Sequence, residues 1–228
     1  MFYFLIILLV LAFFPFLLIP VLIFLVIGFL FMLPYVILFN SFYNVITIPW
    51  QMVKIAADKR IRKNHSLEHA TINVLEHRYG SPLKIGGLAQ PDGFSLSGPD
   101  LMSPYEVIDA TREGYYRMLQ GETNLAIHPR CGTSIAAGNF LFSLIFILVL
   151  LFSHRFSILN LLAVILLANI IAKPFGLTLQ KYFTTYPQVD DIAILDIYIK
   201  PQMMRFPFEF IINSNRSYFI KTSSSRFN

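Results

Sequence analysis

Residues 1–39 are almost uninterrupted Leu, Ile, Phe and Val, with neither a helical nor an alternating polar period. As one helix rising ~1.5 Å per residue the run would reach about 58 Å, against a hydrocarbon core of ~30 Å. The pattern predicts two spans that turn between Pro15 and Pro20, or else one long tilted helix with an in-plane segment. Residues 40–50 carry Asn40, Tyr43 and Trp50 and read as interfacial. Residues 1–50 thus form an N-terminal membrane region. Lys54 is the first charged residue, and Lys59, Arg60, Arg62 and Lys63 follow, a basic cluster that places this end on the cytoplasmic or stromal side by the positive-inside rule.

A helical period then takes over. On a wheel of ~100° per residue, His65, Glu68, His69, Ile72 and Glu76 share one face, with Leu67, Ala70 and Val74 opposite. Gly80-Ser81-Pro82 ends that helix. Residues 83–88 and 94–97 read as short strands around the turn Gln90-Pro91-Asp92-Gly93. Ser103-Pro104-Tyr105-Glu106 is a capping box that opens a helix running to about Gln120, with Val107, Ala110, Thr111, Gly114 and Met118 inward. Residues 51–133 therefore read as a small domain on the basic side of the membrane.

Residues 134–152 and 158–172 are two further spans, joined so tightly that they must be antiparallel, and together they make a helix pair over 134–172. Within 173–200, residues 175–186 read as an amphipathic surface helix and 192–199 alternate as a strand whose expected partner is the earlier hairpin. The tail, 201–228, shows no period, and its end reads as disordered. The predicted fold is a mainly α membrane protein: three to four transmembrane helices, with a small cytoplasmic α+β domain inserted between membrane segments.

Composition agrees. Hydrophobic residues make up 56% of the 228, 23 of them Phe, and the mean hydropathy is +0.62. The uncharged, long apolar N-terminus is unlike a signal peptide. A net charge of +5 is explained by the membrane-flanking basic residues, so nucleic acid is not an expected partner and the lipid bilayer is. The single cysteine, Cys131, cannot form an intramolecular disulfide.

Polar chemistry is concentrated in two runs, His65-Ser66-Leu67-Glu68-His69 and His128-Pro129-Arg130-Cys131-Gly132-Thr133. Histidines at i and i+4 project together and can occupy adjacent vertices of a zinc tetrahedron, and the carboxylate between them can act as a general base. This order is the inverted zinc-protease motif. Imidazole and thiolate at His128 and Cys131 are also ligand types that zinc accepts. The candidate metal ligands are His65, His69, His128 and Cys131, with Glu76 as a rival third ligand or a partner orienting a histidine, and Glu68 as the catalytic base. His77, near the helix end, reads as structural.

The two motifs, followed at once by a membrane helix pair, resemble the YqhQ-like family of predicted metal-dependent membrane enzymes. They also resemble a smaller uncharacterised family of bacterial and cyanobacterial membrane proteins. The resemblance covers roughly the middle half of the chain and implies a metal site in a bacterial inner membrane or a cyanobacterial or plastid membrane. The interval between the motifs is longer here than in the YqhQ-like pattern. No glutamate stands where the inverted-motif peptidases place their downstream ligand. Three readings follow: a zinc-dependent hydrolase acting on a peptide, a membrane-protein segment or another carbonyl substrate; a scaffold with a structural zinc; and, with less support because the spans lack carboxylates and histidines, a metal transporter.

Overall fold

The computed structural model describes residues 18–153, 157–199 and 216–224, together with 5, 13, 14 and 16. The first element among the described residues, α1 (Leu18–Ala57), is a single helix of 40 residues that contains Pro34 and Pro49. The interfacial stretch at 40–50 thus belongs to this helix. The first arm of the expected N-terminal hairpin falls mostly outside the described residues. Asp58 alone separates α1 from α2 (Lys59–Tyr79), and its carboxylate caps α2 by accepting from the amides of Arg60 and Ile61. Gly80 closes α2 in the left-handed conformation, at φ 64°.

After α2 the amides of Leu83 and Lys84 are taken by the side chains of Glu76 and Asp100 rather than by a strand ladder. Strand β1 therefore begins later than the alternation suggests, at Gly86–Gln90, and pairs antiparallel with β2 (Gly93–Gly98). The capping box forms as expected on α3 (Pro104–Leu119), whose five buried residues are Val107, Ala110, Thr111, Gly114 and Met118. Gly114 is a glycine for a reason of space: a Cβ there would stand 3.0–3.2 Å from Ala70 of α2.

Two apolar helices follow, α4 (Gly132–Ser153) and α5 (Ile158–Leu179). Their contacts are antiparallel, with Gly138 opposite Ala172 and Gly176 so close to Ser134 that an added Cβ would come within 2.8–2.9 Å of it. Small residues let the two backbones approach, as in membrane helix pairs. Asn44 of α1 donates to Ser143 of α4 at 3.1 Å. In place of a separate amphipathic segment, α5 continues through Pro174 and passes into a wider π-type turn, Gln180–Thr184. Among the described residues α1, α4 and α5 with its terminal turn are long and apolar enough to cross a membrane.

The sheet is completed by β3 (Ile192–Ile199) and β4 (Arg216–Ser224), in the antiparallel order β1-β2-β4-β3. The strand at 192–199 forms, but its neighbour is β4 and not the hairpin. Part of the tail is thus an inner strand: Tyr218, Ile220 and Thr222 are buried in alternation, and Ile220 pairs with Phe94. Residues 201–215 and 225–228 lie outside the described residues. One apolar core joins Leu67, Val74 and Leu75 of α2 to Val107 of α3 and to Phe94, Leu96 and Ile220 of the sheet.

Because Ile220 is fully buried between two strands, Ile220→Ala is expected to cost about 2–5 kcal/mol. Lys221→Ala, on the exposed side of the same strand, is expected to stay within about 0.5 kcal/mol. Thermal melts of the two variants in detergent check the placement of β4 in the sheet.

Candidate metal centre

The helical period puts His65 and His69 one turn apart on α2, with Glu68 between them. Helix α2 is not half solvated: every residue from Lys63 to Ile72 is buried, because β1, β2, α3 and the short turns at Thr123–Ala126 and Gln180–Thr184 pack against it. Polar groups buried in this way need partners. Nδ1 of His65 lies 2.9 Å from the main-chain oxygen of Thr184, and Nδ1 of His69 lies 2.8 Å from that of Ala126. A carbonyl can only accept, so each Nδ1 is the donor, which in a neutral ring leaves the lone pair on Nε2. The ring centroids are 4.3 Å apart.

Cys131 is brought to the same place by the turn ahead of α4. Its carbonyl accepts from the amides of Ser134 and Ile135, which starts the helix, and its Sγ lies 3.1 Å from Nε2 of His65. Ligand atoms of His65, His69 and Cys131 all lie within 4.8 Å of one another, close enough to bind one metal ion. The donor set fits: two imidazoles with their second nitrogen fixed by a carbonyl, and a thiol, are what borderline-soft metals take. Nε2 of His69 is buried without any hydrogen-bond partner, a costly state for a polar atom that an ion at the centre of the three would relieve.

Glu68 stands beside the three. It is 3% exposed, and its Oε2 also lacks a partner. Burial pushes its carboxyl up to about 8, His65 opposing and Cys131 reinforcing the shift. Strand β1 passes directly over it at Gly87, where any Cβ would overlap the carboxylate. Burial likewise lowers the pKa of His69 and raises that of the Cys131 thiol, the latter opposed by hydrogen bonds from Thr133 and Ser134. A cavity of about 190 Å³ opens onto His65, Glu68 and Cys131, walled by Gly87, Leu88 and Ala89 of β1, the last turns of α1 and the first of α4.

His128 is placed differently. It is buried with its ring centroid 6.0 Å from that of His69, but its Nε2 faces Oε2 of Glu76 at 3.3 Å. Glu76 also binds Arg130 and the amide of Leu83, so the two residues expected as further ligands form a pair beside the cluster rather than part of it. The side chain of Gln180 grips the main chain of His128, accepting from its N–H at 2.9 Å and donating to its C=O at 3.0 Å. His77 is exposed in the last turn of α2, and His154 lies outside the described residues. The pattern of residue types gives no sign of Ala126, Thr184 or Gly87, because all three act through main-chain atoms or through the lack of a side chain.

Both motifs fall within a stretch that defines a family. Residues 60–197 match the family described as Domain of unknown function (DUF6391), and the chain belongs to it. An uncharacterised protein of Picosynechococcus sp. is 36% identical over 88 residues, which cover 33% of this chain and 40% of the relative. The expected kinship with an uncharacterised bacterial and cyanobacterial family is supported by these two matches. No solved structure matches the chain.

His69→Ala and Cys131→Ser are each expected to lower bound metal about tenfold or more, measured by metal analysis of the purified full chain, whereas His128→Ala should retain it. A second expectation concerns the metal-stripped chain. Glu68, raised from 4.5 to about 8, holds its proton more tightly folded than unfolded, so its contribution is complete below about 4.5 and lost as pH rises to 8. His69 and His128, both lowered from 6.5, act in the opposite sense and only below that value. Between pH 6.5 and 8 the melting temperature should therefore fall as pH rises, and Glu68→Gln should flatten that slope.

Proposed function

We propose that this chain is a zinc-dependent hydrolase built into a membrane, with its metal centre at the cytoplasmic or stromal surface. The observation that carries the reading is the convergence of two correctly protonated histidines and a thiol on one point, with an unpartnered buried carboxylate and an open cavity beside it. Three protein ligands with room for a fourth group is the arrangement of catalytic rather than closed structural zinc sites. Zinc would supply Lewis acidity at the open position. His65, His69 and Cys131 would hold it, and Glu68 beside them would take a proton from water attacking a carbonyl and return it to the leaving group. The resemblance of the two motifs to the YqhQ-like pattern supports the same reading. Helices α1, α4 and α5 would insert in the bilayer, with Lys54 and the basic residues that follow it on the inner side.

The competing reading is a scaffold in which zinc ties α2 to the start of α4. Cys131, the first residue ahead of a candidate span, is the observation in its favour. Glu68→Gln separates the two. For a hydrolase the variant keeps its metal and loses turnover of a reporter peptide library by about 10²–10⁴-fold, the range of general-base contributions. A variant that keeps its metal and supports unaltered cell growth where a deletion does not would point to the scaffold.

A further inference from the structure

Among the described residues the sheet has two edges, β1 and β3, and they are finished differently. Along β3 the register shifts between Ile194 and Asp196, a bulge with a charge beside it. Strand β1 has neither device: its pairing with β2 is continuous from Gly86 to Gln90, and its five residues include no charge and no proline. Bare edges invite another strand, and proteins ordinarily blunt them with bulges, charges or prolines. The open edge is the one at the metal centre.

The direction of its main-chain groups follows from the turn. With only Pro91 and Asp92 between them, Gln90 and Gly93 form the hydrogen-bonding pair that closes the hairpin. Alternation along an antiparallel ladder then points the N–H and C=O of Leu88 at β2 and those of Gly87 and Ala89 outward. Among the described residues no other element's main chain bonds to Gly87 or Ala89. These two residues line the cavity that holds His65, Glu68 and Cys131. The cavity, at about 190 Å³, is smaller than the ~300–1,000 Å³ of sites that enclose a whole small molecule. It admits one residue-sized group, against Met52, Ile55 and Ala136, and leaves the remainder of any substrate outside along β1.

Building on the hydrolase reading, we propose that the substrate is an extended polypeptide that adds to β1 as a further strand. Its main chain would bond to Gly87 and Ala89, about 4.8 Å from β1. An apolar side chain would enter the cavity, and the adjacent peptide carbonyl would come to the His65, His69 and Cys131 group. The reaction is hydrolysis. The oxygen of water bonds to the carbonyl carbon and the C–N bond breaks. Both protons of the water pass by way of Glu68 to the leaving nitrogen, and the products are a carboxylate and a protonated amine. The substrate chain would lie between the sheet and the ends of α1 and α4, so the segment favoured is one at the surface of the bilayer.

The test uses the full chain in phosphatidylglycerol–phosphatidylcholine nanodiscs, loaded with zinc. Three probes are titrated: acetohydroxamate, which needs only the metal; acetyl-trileucine hydroxamate; and the same compound N-methylated at its amides, which removes its strand donors. The unmethylated tripeptide should bind about tenfold more tightly than the methylated one, the worth of one or two hydrogen bonds. Ala89→Pro removes an outward N–H that β2 does not use, and should lower the ratio of tripeptide to acetohydroxamate affinity by about tenfold. Equal affinity of the two tripeptides, in a protein that binds acetohydroxamate, overturns strand addition and leaves the metal centre standing. Failure to bind acetohydroxamate overturns the hydrolase reading, and strand addition with it. Should Ala89→Pro not fold, the comparison of the two tripeptides on the unaltered chain decides.

Discussion

The sheet, α3 and the turns around them are arranged about a polar stripe on α2 that has been taken out of water. Helix α2 buries two imidazoles and a carboxyl on adjacent turns, and groups of this kind are tolerated inside a protein only where hydrogen bonds meet them. Two irregular turns provide those bonds. The short 3₁₀ turn at Thr123–Ala126 aims the carbonyl of Ala126 at His69, and the π-type turn at Gln180–Thr184 aims that of Thr184 at His65. Each is the last residue of its turn, where a carbonyl has no partner within the helix. The placing of these two turn ends fixes the tautomer of both rings, and with it the direction of their lone pairs.

The second motif divides its labour. Cys131 joins the histidines, while His128 turns to Glu76 and has its main chain gripped by Gln180. Arg130 binds the same glutamate. The run from His128 to Arg130 is therefore anchored from both sides, to α2 and to the end of α5, and the anchoring sets the point at which Cys131 begins α4. Spacing alone suggests three histidine ligands with Cys131 as a fourth or a close neighbour; the fold groups His65, His69 and Cys131 and uses His128 to position a turn.

Much of this was legible in the sequence. The period of α2, the capping box of α3 and its five inward residues, and the apolar spans at α4 and α5 are local patterns, and the structure shows them. What was missed depends on distant partners. Strand β4 alternates through Tyr218, Ile220 and Thr222, but Phe219 on the outer face masks the contrast, and only the vacancy between β2 and β3 gives the strand its place. Residues 83–85 have strand-like side chains, yet Glu76 and Asp100 claim the amides of Leu83 and Lys84. The closeness of Gly87 to Glu68 and the two carbonyls that hold the imidazoles involve no side chain that a pattern could display. The metal-ligating types were thus readable from the sequence, and their final grouping was not.

The close approach of Gly176 to Ser134 has a mechanical meaning. It fixes the register of α4 against α5, and the two helices deliver to His65 from the same open end of the hairpin: Cys131 precedes the first, and Thr184 follows the second. The imidazole is held as in a caliper whose jaws are set by helix packing some distance away. A slip of a single helical turn, about 5.4 Å, would carry the Thr184 carbonyl out of reach while leaving Cys131 where it is. The ring would lose the bond that dictates which nitrogen bears the proton, so the packing of two apolar helices governs the tautomer of a histidine outside them.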